Sequence, residues 1–314
     1  MKKLLYDVYC RFIAKSNFLP SYYRQKARNF YWVFVFLFSR FYFVRKIALL
    51  FYKADSFPNY NLNNSIFEQT DLQQIVDTLN QEGFYQGLQI PPQYVDQILD
   101  FAFINDCYAE GNINQGFRFE QYLEKKAIYP NNIMRGEYSN TFDNCAAIQT
   151  ISQDPLILAI AEAYLQSKPI LMNTRLWWNL IVNDNECDLR KGARAFHYDP
   201  DDYGSIAFAF YITDVDLQSS GTHVCVRGSH KKKKIQRLLS LSLNSSDAAI
   251  IKDYGQNNIV DIKGKSGYGF IEDRFIFHKA NSPLNRERLI LYIQFGINDY
   301  RKFRVKPTLS GVRS

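Results

Sequence analysis

After Lys168 the apolar residues fall into five short runs separated by polar turns: "ILMNTRLWWNLIV", "SIAFAFYITDV", "GTHVCVRG", "GFIEDRFIFH" and "RLILYIQFGI". Runs of this length, rich in β-branched and aromatic residues and without long helical patterns between them, predict strands of an antiparallel sandwich or barrel. Ahead of them the period is helical. "TDLQQIVDTLNQEG" (Thr70 to Gly83) reads as a short helix closed by glycine. "FYQGLQI" follows as a strand, then "PPQYVDQILDFAF" as a helix entered through proline. "DPLILAIAEAYLQ" predicts another helix, with Asp154 as N-cap and Pro155 in the first turn. The pattern predicts an α+β chain with a mainly β core, flanking helices first and a jelly roll after. No internal repeat is visible, and "KKKK" (Lys231 to Lys234) reads as a solvated turn or helix start.

The first 55 residues have a different texture. "FYWVFVFLFSRFYFVRKIALLF" (Phe30 to Phe51) is the most apolar segment, but its uninterrupted run, Phe30 to Phe38, is broken off by Arg40, Arg45 and Lys46. A spanning helix needs about 20 apolar residues, so this segment does not fit one. No small-residue cleavage site follows it, which makes it a poor secretory signal. On a helix, Arg24, Arg28, Lys46 and Lys53 share one azimuth, so that an aromatic face borders a basic stripe. That pattern suits a helix lying at a membrane surface, and it equally suits a helix hairpin packed on the main domain. Single-stranded nucleic acid is a third, less favoured partner for interleaved basic and aromatic residues.

Charge supports a division at this point. The chain of 314 residues carries a net +7, yet Met1 to Lys53 holds eleven Lys and Arg against the single acid Asp7, so the remainder is mildly acidic. Residues 1–55 are therefore a basic, aromatic N-terminal segment, and residues 56–314 are the jelly-roll domain. The five cysteines, Cys10, Cys107, Cys145, Cys187 and Cys225, are odd in number and contain no C-x-x-C pair. A disulfide framework or zinc ribbon is not expected, and a reducing, cytoplasmic setting fits, at the membrane surface if the head binds lipid.

The chemistry is concentrated in "AFHYDPDDYGS" (Ala195 to Ser205). Side chains two apart on a strand share a face, so His197 and Asp199 offer an imidazole and a carboxylate to one point. The best-placed third ligand among the other three histidines is His278, 81 residues on, at the end of "DRFIFH". Two histidines and one carboxylate form the facial triad of non-heme Fe(II) oxygenases, with positions left open for cosubstrate and oxygen. Ten residues after His278, Arg288 opens the last strand. Its planar fork suits the far carboxylate of a keto acid. Arg286 has the same strand parity and is a rival, although a surface charge in "NRER" is its plainer reading.

The order H-x-D (His197, Asp199), G-S-H (Gly228, Ser229, His230), F-H (Phe277, His278) and arginine (Arg288) resembles the phytanoyl-CoA dioxygenase family. "EGFYQGLQIPPQYVDQILDF" is similar to that family's opening, and the resemblance runs from about Asp71 to Ile297. It implies a double-stranded β-helix of cupin type, Fe(II) as metal and 2-oxoglutarate as cosubstrate. His197, Asp199 and His278 would be the catalytic metal ligands, with Arg288 on the cosubstrate. The implied activity is a dioxygenase that hydroxylates a small-molecule or lipid-linked substrate with O2. The chain departs from the family pattern at Arg227, where proline is usual, and in the acid-rich "GFIEDRFIFH". Asn179 and Trp177, two apart on the preceding strand, are expected to line the cosubstrate pocket. His230 is expected to be a satisfied turn histidine, and His223 and Cys225 plain strand packing. Asp201 and Asp202 read as loop residues that face substrate or solvent. The alternative to an oxygenase is a catalytically silent jelly-roll binding domain with the head as a membrane tether. A cupin-type isomerase or hydrolase would need more clustered histidines.

Overall fold

The computed structural model describes residues 30–52, 60–124, 133–182, 194–240 and 242–298. The proposed basic-stripe residues Arg24, Arg28 and Lys53, and the division near residue 55, lie outside the described residues. The helical elements are α1 (Phe30–Phe38), α2 (Tyr42–Tyr52), α3 (Leu72–Glu82), α4 (Pro92–Ile104), α5 (Phe119–Glu124), α6 (Thr141–Asn144), α7 (Ala146–Ser152), α8 (Pro155–Leu165), α9 (Ile235–Leu239) and α10 (Asp247–Tyr254). The strands are β1 (Phe84–Gln89), β2 (Cys107–Ala109), β3 (Gly116–Phe117), β4 (Arg135–Glu137), β5 (Ile170–Asn179), β6 (Ser205–Tyr211), β7 (His223–Val226), β8 (Ile259–Ile262), β9 (Tyr268–Asp273), β10 (His278–Ala280) and β11 (Arg288–Gly296).

The two caps expected from sequence, Gly83 and Asp154, are present, and Asp71 adds a third. Asp71 accepts from the backbone N–H groups of Gln73 and Gln74 at the start of α3, and Gly83 closes that helix in the left-handed region at φ 87°. Asp154 accepts from Leu156 N at the start of α8.

Every strand pairing is antiparallel. An eight-stranded sheet runs β1-β9-β6-β11-β5-β4-β2-β3, and a three-stranded sheet runs β10-β7-β8. Alternation along the strands separates three apolar clusters. On β6 and β11, Ile206, Phe208, Phe210, Leu289, Leu291, Ile293 and Phe295 face α3, α4, α7 and α8. The opposite parity, Ala207, Ala209, Tyr211, Ile290 and Tyr292, packs with Cys225 and Ile262 of the small sheet. The outer side of the small sheet, Val224 and Val226, packs with Phe196, Tyr198, Phe275, Phe277 and with α1 through Trp32, Val33 and Phe36.

That last contact corrects the membrane reading of the head for its described residues. Of the α1 residues expected to enter lipid, Trp32, Val33, Val35 and Phe36 are buried, while Tyr31 and Phe38 are exposed. Arg40 and Arg45, which break the apolar run, are buried too, while Lys46 of the basic stripe is exposed. Arg45 donates to Asp273 (3.4 Å) and to the His230 carbonyl (2.5 Å), and its guanidinium lies 3.8 Å from the Phe275 ring centre. Arg40 donates to the carbonyls of Phe36, Leu238 and Ser240. On α2, Phe43, Ile47, Leu50 and Phe51 remain exposed. No helix among the described residues is long and apolar enough to cross a membrane.

A second correction concerns "GFIEDRFIFH", which is not one strand. The Asp273 carboxylate accepts from Phe275 N at 2.7 Å, and its carbonyl accepts from Ile276 N at 3.0 Å. This side-chain turn ends β9 in the large sheet and hands the chain to β10 in the small one. The lysine run is also less solvated than expected. Lys233 turns its ammonium inward onto the carbonyls of Ser229 and Phe275.

Candidate metal centre

The segment around His197 adds itself to the small sheet beside β10. His197 N donates to His278 O at 2.9 Å, and His278 N donates to His197 O at 2.8 Å. Such a reciprocal pair puts two side chains directly opposite one another, and the imidazole centres are 4.4 Å apart. Asp199 N donates to Arg274 O at 2.8 Å, which fixes the carboxylate on the same side of the segment. The offered ligand atoms of His197, Asp199 and His278 all lie within 4.8 Å of one another.

The backbone selects the tautomers. His197 Nδ1 is 2.9 Å from the Ala195 carbonyl, and His278 Nδ1 is 3.1 Å from the Ile276 carbonyl. A carbonyl can only accept, so each Nδ1 carries the hydrogen and each Nε2 presents a lone pair. Burial, aided by the neighbouring His278, pushes the His197 pKa down to about 4, so its ring is neutral at pH 7. Burial opposes ionisation of Asp199, yet the Arg274 guanidinium holds its carboxyl well below the usual range. Two imidazole nitrogens and a carboxylate are a donor set that suits a divalent first-row metal. Arg274 also bonds the Asp199 carboxylate directly, the kind of outer partner that orients a ligating carboxylate.

A second polar group adjoins this one. His223 Nε2 lies 2.8 Å from Glu272 Oε2, and the Cys225 thiol lies 3.5 Å from the same oxygen. The other Glu272 oxygen accepts from Arg274 and from the Tyr292 hydroxyl. The His223 ring stacks on His278 at 5.4 Å and on Phe270 at 4.8 Å. His223 and Cys225 are thus members of a buried ionic network, which corrects their reading as plain strand packing. Sequence reasoning did not single out Glu272, Arg274 or Tyr292. The signal was parity: Glu272 and Arg274 stand at even spacings before His278, and Tyr292 stands four residues after Arg288.

Arg288 is 1% exposed, and β11 sets it opposite Asn179 of β5. Its Nη1 donates to Gly221 O at 2.5 Å. With the Asn179 amide oxygen turned toward these donors, it accepts from Arg288 Nε and Nη2 and from Trp177 Nε1, each at 3.2 Å. Arg288, Asn179 and Trp177 therefore come together. All acceptors around this guanidinium are neutral, and among the described residues no carboxylate pairs with it. Burial lowers its pKa, while the Tyr211 phenol opposes that shift. Tyr211 links the two regions: its ring centre is 5.9 Å from Arg288, and its hydroxyl accepts from His223 N at 3.0 Å.

The other candidates lie elsewhere. Arg286 is on the surface, bonded to Asp216 at 3.2 Å. His230 is buried in its turn, 3.2 Å from the Asn80 carbonyl. Asp201 and Asp202 lie in a loop, as expected, but both are buried, which corrects the solvent-facing reading. Asp201 accepts from Gln294 at 3.0 Å, and Asp202 accepts from the backbone N–H groups of Tyr203, Ile297 and Asn298.

No protein-family model matches the chain, and a comparison with curated proteins finds no match. Solved structures do resemble it. The non-heme alpha ketoglutarate dependent carbocyclase SnoK from nogalamycin biosynthesis aligns over 73% of this chain and 86% of its own, at 12% identity and TM-score 0.47. The epimerase SnoN, solved with Fe3+, alpha ketoglutarate and nogalamycin RO, aligns over 77% and 92% at 13% identity and TM-score 0.47. EctD from S. alaskensis, in its apoform, aligns over 78% and 85% at 13% identity and TM-score 0.48.

Proposed function

We propose that this chain is an Fe(II)- and 2-oxoglutarate-dependent dioxygenase on a double-stranded β-helix, similar to the phytanoyl-CoA dioxygenase family, hydroxylating a small-molecule substrate. The observation that carries the reading is the pair of histidines whose Nδ1 atoms are held by carbonyls, leaving both Nε2 atoms beside Asp199. Fe(II) and 2-oxoglutarate together supply the oxidation, O2 being consumed as the keto acid becomes succinate and CO2 and a substrate C–H becomes C–OH.

The residues have separable tasks. His197 and His278 are oriented before any metal arrives, because each ring is pinned by a carbonyl. Arg274 holds the Asp199 carboxylate ionised and in place. Arg288 offers an unneutralised guanidinium that a distal carboxylate would complete bidentately, and Asn179 and Trp177 fix its plane. Phe270 and Ile290 surround the polar groups with apolar surface that excludes water.

Anaerobic addition of Fe(II) and 2-oxoglutarate should give a weak visible charge-transfer band at one iron per chain. His197→Ala or His278→Ala should abolish it, and full iron content with full absorbance in either variant would overturn the ligand assignment. One observation favours a second reading, a catalytically silent jelly-roll binding domain: Asp199 already has a cationic partner in Arg274, which also ties Glu272 and Tyr292. Native protein that takes up no iron after anaerobic reconstitution would leave that reading standing.

A further inference from the structure

A cavity of about 430 Å³ lies on the outer side of the small sheet, away from the candidate metal centre. Two of its lining residues, Tyr198 and Phe277, alternate with His197, Asp199 and His278 along the chain, and they belong to the cluster outside the sheet. Leu243 adds further apolar surface, and Lys234, Arg237 and Lys252 supply cations. Asp253 is the one acid among the lining residues, and it is shared by Lys234 (2.7 Å) and Arg237 (2.9 Å). Lys252 is exposed and makes no ion pair among the described residues. Beside this wall Arg40, 4% exposed, donates only to carbonyls, one of them that of the lining residue Ser240, and its Nη2 has no partner. The Tyr198 hydroxyl, on a side chain 1% exposed, likewise has no partner among the described residues.

Buried polar groups in folded proteins are almost always paired. Here an orphaned hydroxyl and an excess of positive charge belong to residues that line one hollow with an aromatic floor. We propose that this cavity binds a small organic phosphate, the phosphate held by the cations and the Tyr198 hydroxyl, the apolar body resting on Phe277 and Leu243. Lysine serves phosphate as a point charge, and the size is that of ordinary small-molecule sites. This site is independent of the proposed oxygenase activity.

The test is isothermal titration of the full chain, free of metal, with phenyl phosphate. Saturable binding at one site per chain is expected. Replacing Lys234 and Lys252 together by alanine should weaken it about tenfold or more, and Tyr198→Phe should weaken it by about threefold while keeping the ring in place. Arg288→Ala should bind phenyl phosphate as the native chain does. The proposal is overturned if the native chain shows no saturable binding, if the double variant binds undiminished, or if Arg288→Ala alone abolishes the heat.

Discussion

At the scale of single residues, the decisive contrast around the candidate metal centre is between arginines that have acidic partners and Arg288, which has none among the described residues. Arg274 touches Asp199 and Glu272, and Arg45 touches Asp273, whereas Arg288 is equally buried and meets only neutral acceptors. Under the proposed function, Arg288→Ala should lower the affinity for 2-oxoglutarate by 2–5 kcal/mol, or roughly 30-fold to several thousand-fold. Arg286→Ala, at the surface, should leave it within about twofold. Titration of the anaerobic Fe(II) protein, followed by its visible band, compares the two, and the opposite ranking would reverse the assignment. His230 offers a separate test through pH. Burial pushes its pKa down to about 4 in the folded chain, against 6.5 in the open one. Below pH 6.5 the unfolded state therefore binds a proton that the native state refuses, and stability falls as pH drops from 6.5 toward 4. The linked cost is at most about 3 kcal/mol. His230→Gln should flatten that part of the stability–pH curve in urea unfolding, and an unchanged slope would show that His230 is not a source.

At the scale of elements, local signals carried the sequence reading as far as local physics reaches. The α3 and α8 caps and the alternation in β6 and β11 depend on neighbours a few residues away, and they fall where the pattern placed them. The break after β9 was not legible, because it depends on Asp273 folding its carboxylate back onto Phe275 N in a run that otherwise reads as a strand. The Glu272–Arg274–Tyr292 network was hidden for a related reason: an acid and an arginine in a strand look solvated until pairing brings Tyr292 and Asp199 to them. His197 and Asp199 were legible because H-x-D on an extended segment puts both side chains on one face. His278 was reached as the best-placed of the other histidines, and long-range pairing joins it to them. Asp154 shows how one cap can join elements. Its carboxylate also accepts from Ser65 Oγ at 2.9 Å and Ile66 N at 2.8 Å, tying the approach to α3 onto α8. Asp154→Ala should therefore cost more than an ordinary cap, about 2–3 kcal/mol, read as a lowered urea midpoint. A loss of only a few tenths would mean that the Ser65 and Ile66 bonds contribute nothing.

At the scale of the whole molecule, the chain stacks helices on the large sheet, the large sheet on the small one, and α1 with α10 on the outside of the small sheet. Helix α1 thus closes the stack instead of hanging from it. Its composition suggested a lipid surface because a helix cannot reveal from its own period whether its apolar face meets lipid or protein. What decides the matter is the complementary face: Phe196, Tyr198, Val224, Phe275 and Phe277 need a cover, and Trp32, Val33 and Phe36 provide it. Arg45 fastens the same contact, since Asp273 would otherwise keep Tyr164 as its remaining side-chain partner in a buried site. Losing the cation from such a pair typically costs 3–5 kcal/mol, and emptying a buried tryptophan site costs a similar amount. Trp32→Ala in the full chain should lower stability by about 3–5 kcal/mol in urea unfolding. A chain beginning at residue 60 should aggregate or bind a hydrophobic dye such as ANS, because five large apolar side chains lose their cover together. Were the head an interfacial anchor alone, the shortened chain would stay monomeric and dye-free, and Trp32→Ala would leave the urea midpoint where it was. Both results together would detach α1 from the core and return the N-terminal aromatics to a membrane role.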